Sequence, residues 1–288
     1  MKKLRYCLEY KAYSFFMFVF KKLPVSAASD LGGFIARTLG PRLAVSRKAR
    51  RHIHLAFPGI SADETERIVK GMWNNLGRTF AEYPHLETIA QKHIVFTNPE
   101  AIEKLEKVSG GCIVFNGHLG NWEVPPAVMA VRGQTIDVIY RAPNNNFIES
   151  SLKRMRSLNG RIHTHAKSAS GTRALLKALK QNRILGILID QKYNEGISVP
   201  FFGHPAMTST AFVTMGQKYD CPVVPARIVR TKGPNFEITL YDPLRLFKKN
   251  GEPRNPKDVV IDAHRHLEKW ITEKPEQWLW LHKRWGNS

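Results

Sequence analysis

The sequence predicts an α/β fold in which helices flank a mixed, mainly parallel central sheet, preceded by an N-terminal membrane-associated helical segment. From residue 110 onwards, short apolar runs of strand length alternate with helical patterns, as in α/β proteins. A chain of 288 residues with 43% hydrophobic residues can also bury one large core. We therefore expect a membrane-anchoring helix over residues 1–23 and a single α/β domain over residues 24–288.

The N-terminal segment contains an apolar cluster from Ala12 to Phe20. Cations flank this cluster, with Lys2, Lys3 and Arg5 before it and Lys21 and Lys22 after it. The cluster is shorter than the ~20 apolar residues of a membrane span, so we expect an interfacial or shallowly inserted helix. A helix packed in the core is an alternative. A cleaved signal peptide is another, although the two lysines and Pro24 interrupt the apolar region that it would need.

Two helices follow, over residues 31–39 and 47–57, and Pro58 with Gly59 ends the second. The second helix is rich in arginine and lysine, which suits a solvated face or attraction to anionic lipid. Ser61 and Glu64 are spaced as a capping box and therefore predict the start of another helix.

The rest of the chain alternates between the two kinds of element. Strands are predicted over residues 112–116, 136–140, 184–189 and 223–229. Helices are predicted over residues 102–108, 124–131, 147–158, 172–180 and 210–219, and residues 248–257 form a long polar loop.

Charge and cysteine content restrict the class of protein. Lysine and arginine exceed aspartate and glutamate by 20, and the pI of about 10.0 calls for an anionic partner: nucleic acid, anionic lipid or an acidic carrier protein. Three widely spaced cysteines indicate neither a disulfide framework nor a zinc site, which fits a reducing cytoplasmic setting. The histidines lack ligand spacing, so we expect no metal.

The candidate active site is the stretch from Asn116 to Glu123, which reads NGHLGNWE and follows a predicted buried strand. His118 can take and return a proton near neutral pH, and Glu123 is near enough in sequence to orient its ring across a folded loop. The alternative is a loop histidine without a catalytic role, beside an acidic residue that the helix dipole favours.

Polar residues follow three of the predicted strands, at the sheet edge where ligands of α/β proteins bind. They are His118, Arg141, and Asp190 with Gln191. Arg141 and Arg173 are suited to a phosphate or carboxylate, and Asp190 to holding an arginine or an acceptor hydroxyl. The candidate substrate-binding residues are thus Asn116, Asn121, Arg141, Arg173, Asp190 and Gln191. Solvated arginines and a turn-capping aspartate are the alternatives.

Three tryptophans lie near the C-terminus, at positions 278, 280 and 285, among basic residues. They suit an interfacial belt for membrane contact, or a cover over the sheet.

Several of these strings resemble those of the bacterial late acyltransferases of lipid A synthesis, whose HxxxxD/E motif is shared with the wider glycerolipid acyltransferases. The strings are NGHLGNWE from Asn116, YRAPNN from Tyr140, RALLKALKQNRILGILIDQ from Arg173, VPFFGHPAMTS from Val199, CPVVPARI from Cys221 and PEQWLWLHKRW from Pro275. Ala142 and Asn182 are mild departures from the family's pattern.

The resemblance implies an enzyme that transfers a fatty acyl group from acyl carrier protein to a hydroxyl of an acylated, phosphorylated lipid A precursor. It places this reaction at the cytoplasmic face of the inner membrane, with His118 and Glu123 as catalytic residues. The implied partners are acyl carrier protein, the anionic precursor and the inner membrane surface. Acyl carrier protein brings the donor substrate, and no cofactor is expected.

We expect a direct transfer, because a thioester is already activated and the motif contains no serine or cysteine nucleophile. Cys112, four residues before Asn116, is the nearest candidate for a covalent intermediate. Three alternatives stay open: the same chemistry on a glycerolipid, an aminolipid or a phosphoinositol mannoside; a non-catalytic membrane-surface scaffold; and a nucleic-acid-binding protein. The last has no recognised fingerprint here, and we expect no nucleic acid.

Overall fold

The protein is described from a computed structural model, which covers residues 2–108, 110–140 and 142–286. The helices in this part of the chain are α1 Lys2–Lys22, α2 Val25–Leu39, α3 Ser46–Ala56, α4 Ala62–Ala81, α5 Leu86–Lys92, α6 Pro99–Glu106, α7 Val124–Val131, α8 Asn146–Arg156, α9 Ala169–Lys180, α10 Ala211–Tyr219 and α11 Pro256–Glu273. The strands are β1 Ile94–Phe96, β2 Cys112–Asn116, β3 Ile136–Tyr140, β4 Ile162–Ala166, β5 Ile184–Leu188, β6 Ile197–Phe201, β7 His204–Thr208, β8 Val223–Arg230 and β9 Phe236–Leu240.

Seven of these strands form the central sheet, in the order β1-β9-β8-β2-β5-β3-β4. Neighbouring strands are parallel except β8 and β9, which pair antiparallel. Strands β6 and β7 form a separate antiparallel hairpin. The predicted α/β class and the mainly parallel sheet are therefore confirmed.

The two faces of the sheet are covered by different helices. Phe115 of β2 faces a large apolar core that includes residues of α9, α10 and α11. Cys112 of the same strand faces the opposite side, where Ile102 and Leu105 of α6 and Met129 of α7 pack. Because both faces of β2 are covered, its residues from Cys112 to Phe115 are all apolar.

The predicted strands correspond closely to β2, β3, β5 and β8. Strand β9, the long helix α11 and the β6–β7 hairpin were not predicted from the sequence. Pro200 and Pro205 pair with each other in that hairpin, and proline hides a strand pattern because it cannot donate to a ladder. The predicted helix start at Ser61 is confirmed, since the Ser61 hydroxyl accepts a hydrogen bond from the Glu64 backbone N–H at 3.2 Å. The Glu64 carboxylate pairs with Arg67, so the second bond of a capping box is not the one it makes.

The N-terminal segment forms helix α1, one side of which packs on the domain. Tyr13, Met17 and Phe20 are buried on that side, at helical spacing. Leu4, Leu8, Phe15 and Phe18 are exposed on the rest of the helix. Within the described residues, the structure has no helix with the length and apolar character needed to cross a bilayer.

Candidate active site

The loop between β2 and α7 carries the NGHLGNWE stretch and is fixed by the C-terminal segment. The Gly120 N–H donates to the Gln277 carbonyl at 3.2 Å, and the Leu279 N–H donates to the His118 carbonyl at 3.1 Å. Gly120 has a φ of +53°, a left-handed conformation in which a side chain is strained. The loop is therefore held between the sheet edge and residues 275–285, and the position of His118 is well defined.

The ring of His118 is oriented by Asp190, which follows β5. Nδ1 of His118 lies 2.7 Å from Oδ1 of Asp190. The other carboxylate oxygen accepts hydrogen bonds from the His118 backbone N–H and from Nε1 of Trp278, both at 2.7 Å. Gly117 permits this approach, because a Cβ there would lie 3.1 Å from Oδ2 of Asp190. The aspartate thus holds both the ring and the backbone of His118.

Asp190 is fully buried. Burial by itself would raise its pKa, but the adjacent His118 holds the pKa of this carboxyl well below its ordinary value. The carboxylate therefore stays ionised at neutral pH and accepts the Nδ1 proton. With the proton on Nδ1, the lone pair of Nε2 is available to accept a proton from a substrate.

Glu123 does not orient His118, so the predicted His118–Glu123 contact is wrong. Its carboxylate instead accepts hydrogen bonds from the Tyr83 hydroxyl at 2.7 Å and from two nitrogens of Arg156 at 2.5 and 2.7 Å. Burial by itself would lower the pKa of Arg156, but the Glu123 carboxylate raises it above its ordinary value. Glu123 lies at the start of α7, and the ion pair joins this helix to the end of α8.

Nε2 of His118 contacts the side-chain amide of Gln191. The amide nitrogen lies 3.1 Å from Nε2 of His118 and 3.2 Å from Nε2 of His282. An amide N–H that donates to Nε2 fits the ring form with its proton on Nδ1. Burial and the nearby His118 lower the pKa of His282 to about 3, so this second ring is neutral at physiological pH.

The other predicted binding residues lie in different surroundings. Asn121 is buried and lines neither cavity described below; its amide donates to Glu82 at 2.8 Å, so it anchors the loop and is not placed to bind substrate. Arg173 is exposed on α9 and does not line the cleft. Arg141 lies outside the described residues. Asn116 is 6% exposed, and its amide nitrogen has no hydrogen-bond partner in the described part of the chain.

Two adjoining cavities meet near His118. A cleft of about 360 Å³ is lined by His118, Glu123, Arg156 and Gln191, with apolar residues of β3, β5 and α10. A smaller chamber of about 60 Å³ lies between the sheet and helices α6 and α7, and its lining is apolar except at Asn116. The cleft volume of about 360 Å³ is typical of a small-molecule site, and the cleft also contains a proton acceptor and apolar walls.

The sequence analysis missed several residues of this site. Tyr83 and Arg156 donate hydrogen bonds to the Glu123 carboxylate. His282 and Trp278 reach the site from the C-terminal segment. Trp278, Trp280 and Trp285 are at most 2% exposed, so they cover the buried core and do not form a membrane belt. The string WLWLHKRW could have indicated that this segment reaches the site, because its histidine lies between the tryptophans.

The chain is similar over most of its length to enzymes of lipid A synthesis. The family model of bacterial lipid A biosynthesis acyltransferases matches residues 1–287. The chain is 25% identical over 284 residues to a lipid A biosynthesis palmitoleoyltransferase of Escherichia coli strain K12 and to a lipid A biosynthesis acyltransferase of Shigella flexneri, covering 93% of this chain and 88% of each relative.

A lipid A biosynthesis acyltransferase of Haemophilus influenzae is 22% identical over 251 residues, which covers 82% of this chain and 76% of that relative. The match to the family model spans nearly the whole chain and includes both His118 and Asp190. The predicted resemblance is therefore confirmed, and the chain belongs to the family of bacterial lipid A biosynthesis acyltransferases.

Proposed function

We propose that this acyltransferase moves a fatty acyl group from acyl carrier protein to a hydroxyl of an acylated, phosphorylated lipid A precursor. The observation that carries the proposal is the buried His118–Asp190 pair, in which the His118 ring lines a cleft of about 360 Å³ with apolar walls. A hydroxyl acceptor needs a base of this kind, and an acyl chain needs such walls.

The acceptor hydroxyl displaces the Gln191 amide from Nε2 of His118 and donates its own hydrogen bond there. His118 takes the hydroxyl proton as the oxygen attacks the thioester carbonyl carbon, and Asp190 stabilises the imidazolium that forms. The tetrahedral intermediate collapses to the ester. The carbon–sulfur bond breaks, and the departing carrier thiolate receives the proton from Nε2, which restores the resting ring.

Asn116 is the side chain best suited to stabilise the oxyanion of that intermediate. The backbone N–H groups of Gly117 to Gly120 all donate hydrogen bonds within the protein, so these loop amides are not available to the oxyanion. The Asn116 amide nitrogen is buried and has no hydrogen-bond partner among the described residues. Asn116 lies directly before the loop, where the chamber wall meets the cleft, because it pairs with Leu188, which lines the cleft. A preorganised donor at such a position lowers the barrier to acyl transfer.

A covalent acyl-enzyme on Cys112 is disfavoured. The residue is fully buried at the start of β2, whereas His118 lies beyond the end of that strand. Burial also raises the pKa of the Cys112 thiol well above its ordinary value, which suppresses the nucleophilic thiolate. These facts support a direct transfer from donor to acceptor.

We further propose that the exposed apolar side chains of α1 and α2 bind the surface of the inner membrane at its cytoplasmic face. Leu4, Leu8, Phe15 and Phe18 of α1 are 59–66% exposed, and Phe34 and Leu39 of α2 are 55% and 58% exposed. Exposed apolar groups on a helix flanked by cations are typical of interfacial binding. The net charge of +20 would attract both an anionic lipid and an acidic carrier.

An in vitro reaction tests the function. Purified protein is mixed with acyl carrier protein bearing acyl chains of graded length and with a defined tetraacylated precursor, and the products are analysed by mass spectrometry. We expect one added acyl chain on the precursor and a loss of at least about 10²-fold in rate in His118→Ala. Full activity of that variant would refute the mechanism.

Two further readouts identify the acceptor and the route. In cells lacking the protein, loss of one acyl chain from lipid A supports the proposal, whereas an altered phospholipid profile with unchanged lipid A contradicts it. Acyl label that stays on denatured protein after incubation with the donor would contradict direct transfer. We expect no such label in the wild-type protein or in Cys112→Ala.

A further inference from the structure

The central sheet opens between β3 and β5 at its carboxyl edge. The pairing of these two strands ends at Val138 with Gly186. Strand β5 continues to pair with β2 as far as Leu188, and β3 continues to pair with β4 as far as Tyr140. The last residues of β3 and β5 therefore diverge, and the sheet has a split directly beside the catalytic cleft.

The catalytic cleft and the apolar chamber adjoin at this split. Four residues line both cavities: Trp122, Pro126, Gly186 and Ile187. The chamber extends from there over the sheet face, where Ile102 and Leu105 of α6 line it without lining the cleft. The two cavities are therefore neighbours, separated only by these four residues.

Gly186 lies in the middle of β5, at the floor of the split. Its φ is not positive, so the backbone does not require glycine there. A Cβ at this position would lie 3.1 Å from Cγ1 of Val138, closer than an ordinary contact. Glycine weakens a strand and often marks a place where a ligand approaches the backbone closely. Because Gly186 has no side chain, its backbone lines both cavities.

The chamber accommodates only the end of a chain. Its volume of about 60 Å³ leaves room for about four to six water-sized groups, and a methylene group is of similar size. Each buried methylene contributes about fourfold to affinity, so the last few carbons have a large effect on which chain is preferred. The residues at the passage and at the α6 end would then select chain length.

We propose that Gly186 and Val138 form the gate through which the donor acyl chain passes into the chamber, and that Leu105 limits its length from the α6 side. The inference rests on the proposed function, because it takes the donor to be an acyl thioester. It assigns chain-length specificity to Gly186, which has no side chain, and to Leu105 of helix α6, which is not part of the catalytic site.

The gate is tested by Gly186→Val with carriers of graded acyl chain length. We expect the rate with the longest accepted chain to fall at least about tenfold, while the rate with the shortest chain stays within about twofold. Gly186→Ala should show a smaller effect. Adding Val138→Ala should reverse that effect, because it removes the methyl group that the new Cβ would meet.

Leu185→Val is the control, since this neighbouring residue of β5 faces the other side of the sheet and is fully buried. It should lower stability without changing the order of chain preference. Leu105→Ala tests the far end independently of Gly186 and should shift the preferred chain to a longer one. An equal loss at every chain length in folded Gly186→Val, with no shift in Leu105→Ala, would overturn the gate.

Binding of free fatty acids of graded length, measured by thermal shift, separates this inference from the proposed function. If the wild-type protein binds long chains better than short ones and Gly186→Val loses this preference, the gate stands even if lipid A precursor proves not to be the acceptor. If the long-chain preference of binding is the same in both proteins, the gate is wrong even if the transfer reaction is confirmed.

Discussion

Oδ1 of Asp190 lies 2.7 Å from Nδ1 of His118, although the two residues are 72 positions apart in the chain. The carboxylate follows β5 and the imidazole follows β2, and these strands are paired neighbours in the sheet. Both side chains therefore lie at the same carboxyl edge. The acid that orients the base comes from the sheet topology and not from the sequence motif that contains the base.

Asp190→Asn should abolish most of the activity. An asparagine cannot accept at both positions, so its NH₂ group would face either the His118 ring N–H or the N–H groups of His118 and Trp278. We expect kcat to fall by about 10²-fold to 10⁴-fold, by analogy with other carboxylate-oriented histidines. Steady-state transfer assays on protein with wild-type circular dichroism would check this. A rate within about threefold of wild type would contradict it.

Glu123→Gln should act mainly on stability. The Glu123–Arg156 pair has side chains only 11% and 15% exposed, and removing one charge leaves the other buried without compensation. We expect a loss of about 3 kcal/mol in the free energy of unfolding in urea. Glu123→Gln combined with Arg156→Met should recover part of that loss, because neither charge then remains. If the double variant loses the sum of the two single losses in unfolding free energy, the two charges do not stabilise the fold as an ion pair.

Much of this architecture could be predicted from the sequence. The buried strands β2, β3, β5 and β8 are short apolar runs with clear ends, and placing polar residues after them brought His118, Asp190 and Gln191 to one sheet edge. The pairing of His118 with Asp190 could not be derived, because it depends on which strands are neighbours. Glu123 was the predicted partner because it is close in sequence and because the resemblance to the HxxxxD/E motif implied it.

The sequence pattern could not show whether the C-terminal segment contacts a membrane or packs in the core. Alternating tryptophans and cations suit a membrane interface as well as a core, and only tertiary packing distinguishes the two. Trp278 is buried in the apolar core, where its indole N–H donates to Asp190, 88 residues away in sequence.

Gln191→Glu should shift the pH dependence of the reaction. The amide nitrogen of Gln191 is 3.1 Å from Nε2 of His118, so a carboxylate there would favour the protonated ring. An imidazolium that is stabilised in this way cannot act as a base. The acid limb of kcat/KM should move to higher pH by about one unit or more. Gln191→Leu, which adds no charge, is the control and should not produce this shift.

Acid should destabilise the fold partly through His264. Burial and the nearby Arg284 lower the pKa of His264 to about 4, whereas an unfolded histidine has a pKa of 6.5. Between these values the unfolded chain binds a proton that the folded protein does not, so the stability falls as the pH falls. His264 alone should contribute about 1.4 kcal/mol for each pH unit in this range.

His264→Gln should reduce this pH dependence of the unfolding free energy. Urea denaturation at several pH values between neutrality and about pH 5 measures the slope in both proteins. His282, with its pKa lowered to about 3, contributes in the same direction and should leave some slope in the variant. An identical slope in the two proteins would show that His264 does not titrate as described.

The central claim is that His118 and Asp190 act as one catalytic unit, and single-turnover rates of acyl transfer test it most directly. The rates of His118→Ala, Asp190→Asn and the double variant are compared with wild type at saturating enzyme. When two residues act as a unit, removal of one already removes the contribution of the other to the rate. The double variant should therefore be no slower than His118→Ala alone. Losses that multiply in the double variant, or a wild-type rate in Asp190→Asn, would contradict the account.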